Sequence, residues 1–261
     1  MNRYIISLLF IFNLLIASDF DMVLIEPKDL EIPAFYVAKT AITQDLFFEI
    51  MNANLSLYKG DDLPAERVSW YEAIVFCNLL SIKHDLEPVY IYHKTYSQND
   101  PGSKNIYEWI AGWGGVPNHS VATWNRIKID PEANGFRLLF RDEWDYLYHR
   151  LDSDIFENLE EYAWVYTNSE GRTHPVSEKL PDTNGLYDFL GNVKEWLNDE
   201  VGNLPERFFH YRSPQQEDFY NSLGHKKFTR NEFVVIRDNR GLYPVIRSSL
   251  VGFRIARQAN S

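Results

Sequence analysis

The side chains best suited to chemistry lie in one short stretch. Asp188, Gly191, Val193 and Glu195 are spaced like the ligands of a tight turn. The two carboxylates supply charge, and a turn at Gly191 aims the backbone carbonyls of Gly191 and Val193 at the same point. Calcium favours this mix of carboxylate and carbonyl oxygens. The spacing therefore predicts one structural calcium on these four residues. The alternative reading of the same residues is a metal-free turn whose carboxylates accept hydrogen bonds from loop amides, as Asp commonly does.

Other chemistries find less support. The single cysteine, Cys77, excludes an intramolecular disulfide and any reaction needing two thiols of this chain. It falls on the apolar face of a predicted helix, where a free thiol behaves as a small hydrophobe. The seven histidines show no H-x-x-x-H spacing. No G-x-S-x-G elbow, P-loop, Rossmann fingerprint or zinc-type Cys/His run occurs.

The elements that must position these groups are few. Residues 32–38 read as a short strand. Residues 43–52 read as a helix with Thr43 as N-cap and an apolar stripe of Leu46, Phe47 and Ile50. Residues 69–80 read as a second helix, with Ser69 and Glu72 at capping-box spacing and Ala73, Phe76, Cys77 and Leu80 on one face. Residues 141–148 give a third helix carrying Trp144 and Leu147. Residues 92–125 and 202–229 are turn-rich, and 233–237 and 252–257 read as short strands. Few helices among short strands and long loops imply an α+β domain of low regular content.

Composition sets the surroundings. Hydrophobic residues make up 45% of the chain and aromatics 15%, enough for a packed core rather than disorder. Against 37 acidic residues stand 26 basic ones, a net charge of −11 that disfavours nucleic acid and anionic membrane surfaces as partners. At the start, Arg3 precedes an apolar run over residues 5–17 and small residues at Ala17 and Ser18. That is the pattern of a secretory signal peptide over residues 1–18, too short to span a bilayer. The expectation is an exported protein, periplasmic, secreted or at the cell surface, with no transmembrane segment in the mature chain.

Several ordered blocks carry a family resemblance. His174-Pro175-Val176 is followed by Asn184-Gly185-Leu186-Tyr187-Asp188-Phe189-Leu190-Gly191-Asn192-Val193-Lys194-Glu195-Trp196. Upstream lie Phe35-Tyr36-Val37, then Val68-Ser69-Trp70 running on to Phe76-Cys77-Asn78, then Asn134-Gly135-Phe136-Arg137-Leu138 with Glu143-Trp144. Arg247 and Gly252-Phe253-Arg254 close the series. Together these resemble the formylglycine-generating (sulfatase-modifying factor) family over about residues 22–257. The resemblance implies the C-type-lectin-like fold of that family, an α+β domain with few helices, short strands and long ordered loops. It also implies a structural calcium on Asp188, Gly191, Val193 and Glu195.

The family's oxidases are expected to bind copper through a cysteine pair just before the closing block. Here residues 236–247 contain no cysteine, so no copper and no formylglycine-generating oxidation are expected. The expected function is an exported, non-catalytic binding or scaffold protein. The alternative is an enzyme of the same family using a different oxidative or protein-modifying chemistry. A protein or glycan ligand is expected at the aromatic loop, through Tyr92, Tyr96, Tyr107, Trp109, Trp113 and Trp124, although several of these residues can equally pack beneath the loop.

Overall fold

The structure is a computed structural model that describes residues 21–28, 32–93, 102–113, 115–119, 121, 123–124, 127–165, 167–200, 207–210 and 247–259. The expected signal peptide, the 202–206 and 211–229 parts of the irregular stretch, the 233–237 strand and most of the cysteine-free stretch lie outside these residues.

A four-stranded antiparallel sheet forms the spine. Its order is β1 (Met22–Ile25), β2 (Phe35–Ala38), β9 (Ile255–Gln258) and β5 (Arg137–Leu138). Between β2 and β5 come α1 (Gln44–Met51), α2 (Trp70–Lys83), β3 (Tyr90–Ile91), α3 (Ile106–Trp113) and β4 (Lys128–Ile129), with β3 and β4 paired as a small ribbon. After β5 follow α4 (Arg141–His149), α5 (Ser153–Glu157) and α6 (Leu159–Tyr162). A second sheet sets β6 (Lys194–Glu200) between β7 (Arg207–His210) and β8 (Val251–Gly252). No described helix is long and apolar enough to cross a membrane.

Two hydrophobic clusters divide the core. Strand alternation sends successive side chains to opposite faces, and the strands feed both clusters. Val37, Ala256, Leu139 and Leu197 enter one; Ala38, Ile255, Leu138 and Trp196 enter the other. The sheets thus present apolar side chains on both faces.

The predicted helix starts hold. Thr43 Oγ1 accepts from the Leu46 amide at 3.4 Å, and Ser69 and Glu72 form a complete capping box. The expectation of one apolar face on α2 does not hold: eleven of its fourteen residues are buried. A helix apolar all round is a core helix, and its polar members are spent internally. Asn78 pairs with both backbone groups of Tyr90, and the Ser81 hydroxyl donates to the Cys77 carbonyl and accepts from the Phe136 amide.

Three further differences appear. The turn-rich stretch from residue 92 contains α3, whose Ile106 and Trp109 are fully buried. The predicted strand at 252–257 splits into β8 and β9, which belong to different sheets. The short helices α5 and α6 carry only Ile155 and Leu159 into the core, too little periodicity to read from sequence.

Candidate functional site: a buried acid loop

The signature residues form the loop leading into β6. Asp188 and Asn192 have φ of 54° and 63°, and Ser177 opposite has φ 62°. Three non-glycine residues in the left-handed region, clustered on one loop, are backbone strain that the surroundings must hold in place. Asn192 does much of this. Its side chain accepts from the His174 amide at 3.0 Å and donates to the His174 carbonyl at 2.9 Å, while its own amide donates to the Trp164 carbonyl at 2.8 Å. His174 stacks on Trp164 with ring centroids 3.8 Å apart, and its Nε2 lies 2.8 Å from the Ser169 carbonyl. Position 191 must be glycine, because a Cβ there meets the Trp164 carbonyl.

The two predicted carboxylates are brought together. Asp188 Oδ2 accepts from the Ser177 amide at 2.9 Å, and Glu195 Oε1 accepts from Arg254 Nε at 2.9 Å. The second oxygen of each, Asp188 Oδ1 and Glu195 Oε2, is buried with no hydrogen-bond partner. Burial raises the pKa of both groups, partly opposed by the Ser177 amide at Asp188 and by Arg254 at each. The charge of Asp188 raises Glu195 further, so the two acids sense one another. A buried carboxylate oxygen without a donor is costly. With Asp188 on the loop and Glu195 at the start of β6, burial disfavours the charged form of both acids, and Arg254 offsets this only in part.

Arg254 is the neighbour that the spacing argument missed as a site residue. It is fully buried and donates to the carbonyls of Ala38, Lys39 and Tyr187 as well as to Glu195. Its only signal in the sequence is its place in the closing block. Gly191 and Val193 lie on the predicted turn, and the Gly191 carbonyl accepts from the Val193 amide at 2.8 Å. Among the described residues no group of three or more His, Cys, Asp or Glu is arranged as a metal site. A cation at this loop therefore has to draw on carbonyl oxygens beside the two acids, which suits a hard ion such as calcium and not a thiolate- or imidazole-seeking metal.

The other candidates fall as follows. Cys77 is fully buried and burial pushes its thiol well above the ordinary range, so it is a core residue. Tyr92, Trp109 and Trp124 are not ligand contacts: they pack with Tyr71 in a ring cluster with centroids 5.1 to 6.1 Å apart, all buried. Tyr107 remains exposed at 64%, and Tyr96 lies outside the described residues. Arg247, at the end of the cysteine-free stretch, makes a bidentate pair at 3.0 and 2.8 Å with Glu72 at the start of α2.

Residues 18–259 match the domain family described as sulfatase-modifying factor enzyme 1-like. The structure of Treponema denticola variable protein 1 is similar, with a TM-score of 0.63 at 25% identity over 94% of each chain. The structure of CarF shares the fold, with a TM-score of 0.57 at 19% identity over 92% of this chain and 99% of that one. The Chaperone protein LppX of Paenibacillus barcinonensis is 31% identical over 192 residues, 65% of this chain and 63% of that protein. The chain thus spans just under two thirds of that relative's length.

Proposed function

From the premise that this chain belongs to the sulfatase-modifying factor (formylglycine-generating enzyme) family, with its C-type-lectin-like fold, we propose that it is an exported, non-catalytic binding or scaffold protein. The observation that carries this reading is the thiol inventory. The chain has one cysteine, residues 236–247 contain none, and Cys77 is sealed in the core. Thiolates are the soft ligands that select Cu(I), and this chain has no pair to offer. Similarity to a relative named as a chaperone supports an accessory role directed at another molecule. Export rests on the Arg3, apolar-run and Ala17-Ser18 pattern.

Within this reading the acid loop is structural. Asp188, Glu195 and the carbonyls of Gly191 and Val193 hold one calcium ion, supported by the two donorless buried oxygens. The ion supplies positive charge to a loop that Arg254 alone does not neutralise.

The decisive experiment incubates copper-loaded protein with a sulfatase-type cysteine peptide and follows the peptide by mass spectrometry. No change in peptide mass is expected. Loss of sulfur with gain of an aldehyde overturns the non-catalytic assignment.

A further inference from the structure

A second concave site lies beside the acid loop. It is a cleft of roughly 370 Å³ lined by Asp21, Lys39, Thr40, Thr43, Ser177 and Tyr187, over a floor of the buried residues Ala38, Ala41, Ile42 and Leu46. That volume falls in the range of small-molecule pockets, about 300–1,000 Å³. The walls are fixed by backbone bonds. The Lys39 amide donates to the Asp21 carbonyl at 2.9 Å, the Tyr187 amide to the Lys39 carbonyl at 2.8 Å, and the Ile42 amide to the Phe253 carbonyl at 3.0 Å. Arg254 also donates to the Lys39 carbonyl, at 2.6 Å.

The chemistry of the lining is specific. Among the described residues Lys39 and Asp21 are its only charged side chains, and they pair at 3.2 Å with exposures of 38% and 80%. A pair this exposed is worth little, so a ligand that offers each partner a replacement charge separates it at small cost. The hydroxyls of Thr40 and Ser177 and the Tyr187 phenol carry no hydrogen bond to other described residues. They are free to serve a ligand. The balanced charges disfavour a simple anion or cation. A neutral sugar would desolvate the pair without replacing either charge.

We propose that this cleft binds a free α-amino acid. The carboxylate meets Lys39 and the hydroxyls, and the ammonium meets Asp21. Lys39 and Asp21 lie side by side, so a ligand that meets both carries its two charges close together. An amino acid carries both on one carbon, whereas a peptide separates its termini. The site goes beyond the accessory role proposed above, and its failure would leave the thiol argument untouched.

Isothermal titration of the full chain with L-leucine tests the proposal, with N-acetyl-L-leucine, L-leucinamide and methyl glucoside as comparisons. The expected result is a leucine Kd below about 1 mM. Either capped analogue, and either variant Lys39→Met or Asp21→Asn, weakens binding at least about tenfold. Both variants sit on exposed side chains, and unchanged melting temperatures verify their fold. Absence of leucine binding, equal binding of the capped analogues, wild-type affinity in both variants, or binding of the glucoside in preference to leucine each overturns the proposal.

Discussion

At the scale of single residues, the energetics concentrate around β6. Lys194 is only 7% exposed, and burial lowers its pKa to about 8 from 10.5 with no opposing interaction. The folded state thus disfavours the charged form. The penalty is complete below pH 8 and disappears as pH rises toward the unfolded value. From about 1.4 kcal/mol per pKa unit, it is on the order of 3 kcal/mol at neutral pH. Lys194→Met, which keeps the stem and removes the charge, is expected to raise unfolding free energy by about 2–3 kcal/mol at pH 7 in urea titrations. The advantage should shrink between pH 8 and 10.5; an advantage constant over that window contradicts the assignment. Glu195 behaves oppositely. Glu195→Gln leaves the buried Arg254 without its counter-charge, a loss of about 3–5 kcal/mol. If calcium binds the loop, a hundredfold excess over Kd adds about 2.7 kcal/mol to the wild type. Chelator should then lower the wild-type melting temperature and barely move that of Glu195→Gln. An unresponsive wild type without metal in the purified protein identifies an ordinary hydrogen-bonded turn.

At the scale of elements, α2 and the acid loop are both positioned by buried polar groups. Ser69→Ala removes the hydroxyl that accepts from the Glu72 amide and donates to the Glu72 carboxylate. Loss of an N-cap of this kind costs about 1 kcal/mol. Asn78→Leu is more severe, because the amide and carbonyl of Tyr90 lose their buried partner. A cost of about 1–3 kcal/mol for each group stranded in this way follows. Chemical denaturation should rank Asn78→Leu well below Ser69→Ala, and the reverse order would contradict the role of Asn78 as the link between α2 and β3. The same elements bear on function: α2 anchors Arg247 through Glu72, and β6 carries Glu195 to Arg254.

At the scale of the whole molecule, two cores share one sheet, and the strained acid loop is clamped where β6 leaves it. Stability must come from this packing, since one cysteine allows no internal disulfide. On the proposal that the protein is exported, its mature N-terminus is expected near Asp19. N-terminal sequencing of protein recovered from outside the cytoplasm is expected to begin there. Recovery of intact Met1 in the soluble cytoplasmic fraction would contradict export.

The sequence by itself determined the family, the α+β class, the starts of α1 and α2 and the nearness of Asp188 to Glu195. These are local or ordered signals: caps at fixed offsets, blocks in a set order, and two acids on one turn. The lack of a copper-binding thiol pair was likewise a matter of counting. Only the tertiary structure decided which groups are buried and with whom. Trp109 and Trp124 lie in a turn-rich stretch, yet Trp124 closes against Tyr71 of α2, more than thirty residues away in the chain, and Trp109 packs on Trp124. The apolar stripe expected on α2 became a helix covered on nearly every side, because α1, α3 and β5 all pack against it. Arg254 reaches Glu195, Ala38 and Tyr187 through contacts separated by 59, 216 and 67 residues. No periodicity encodes such distances; they arise when a sheet buried on both faces forces distant segments to satisfy one another's polar groups.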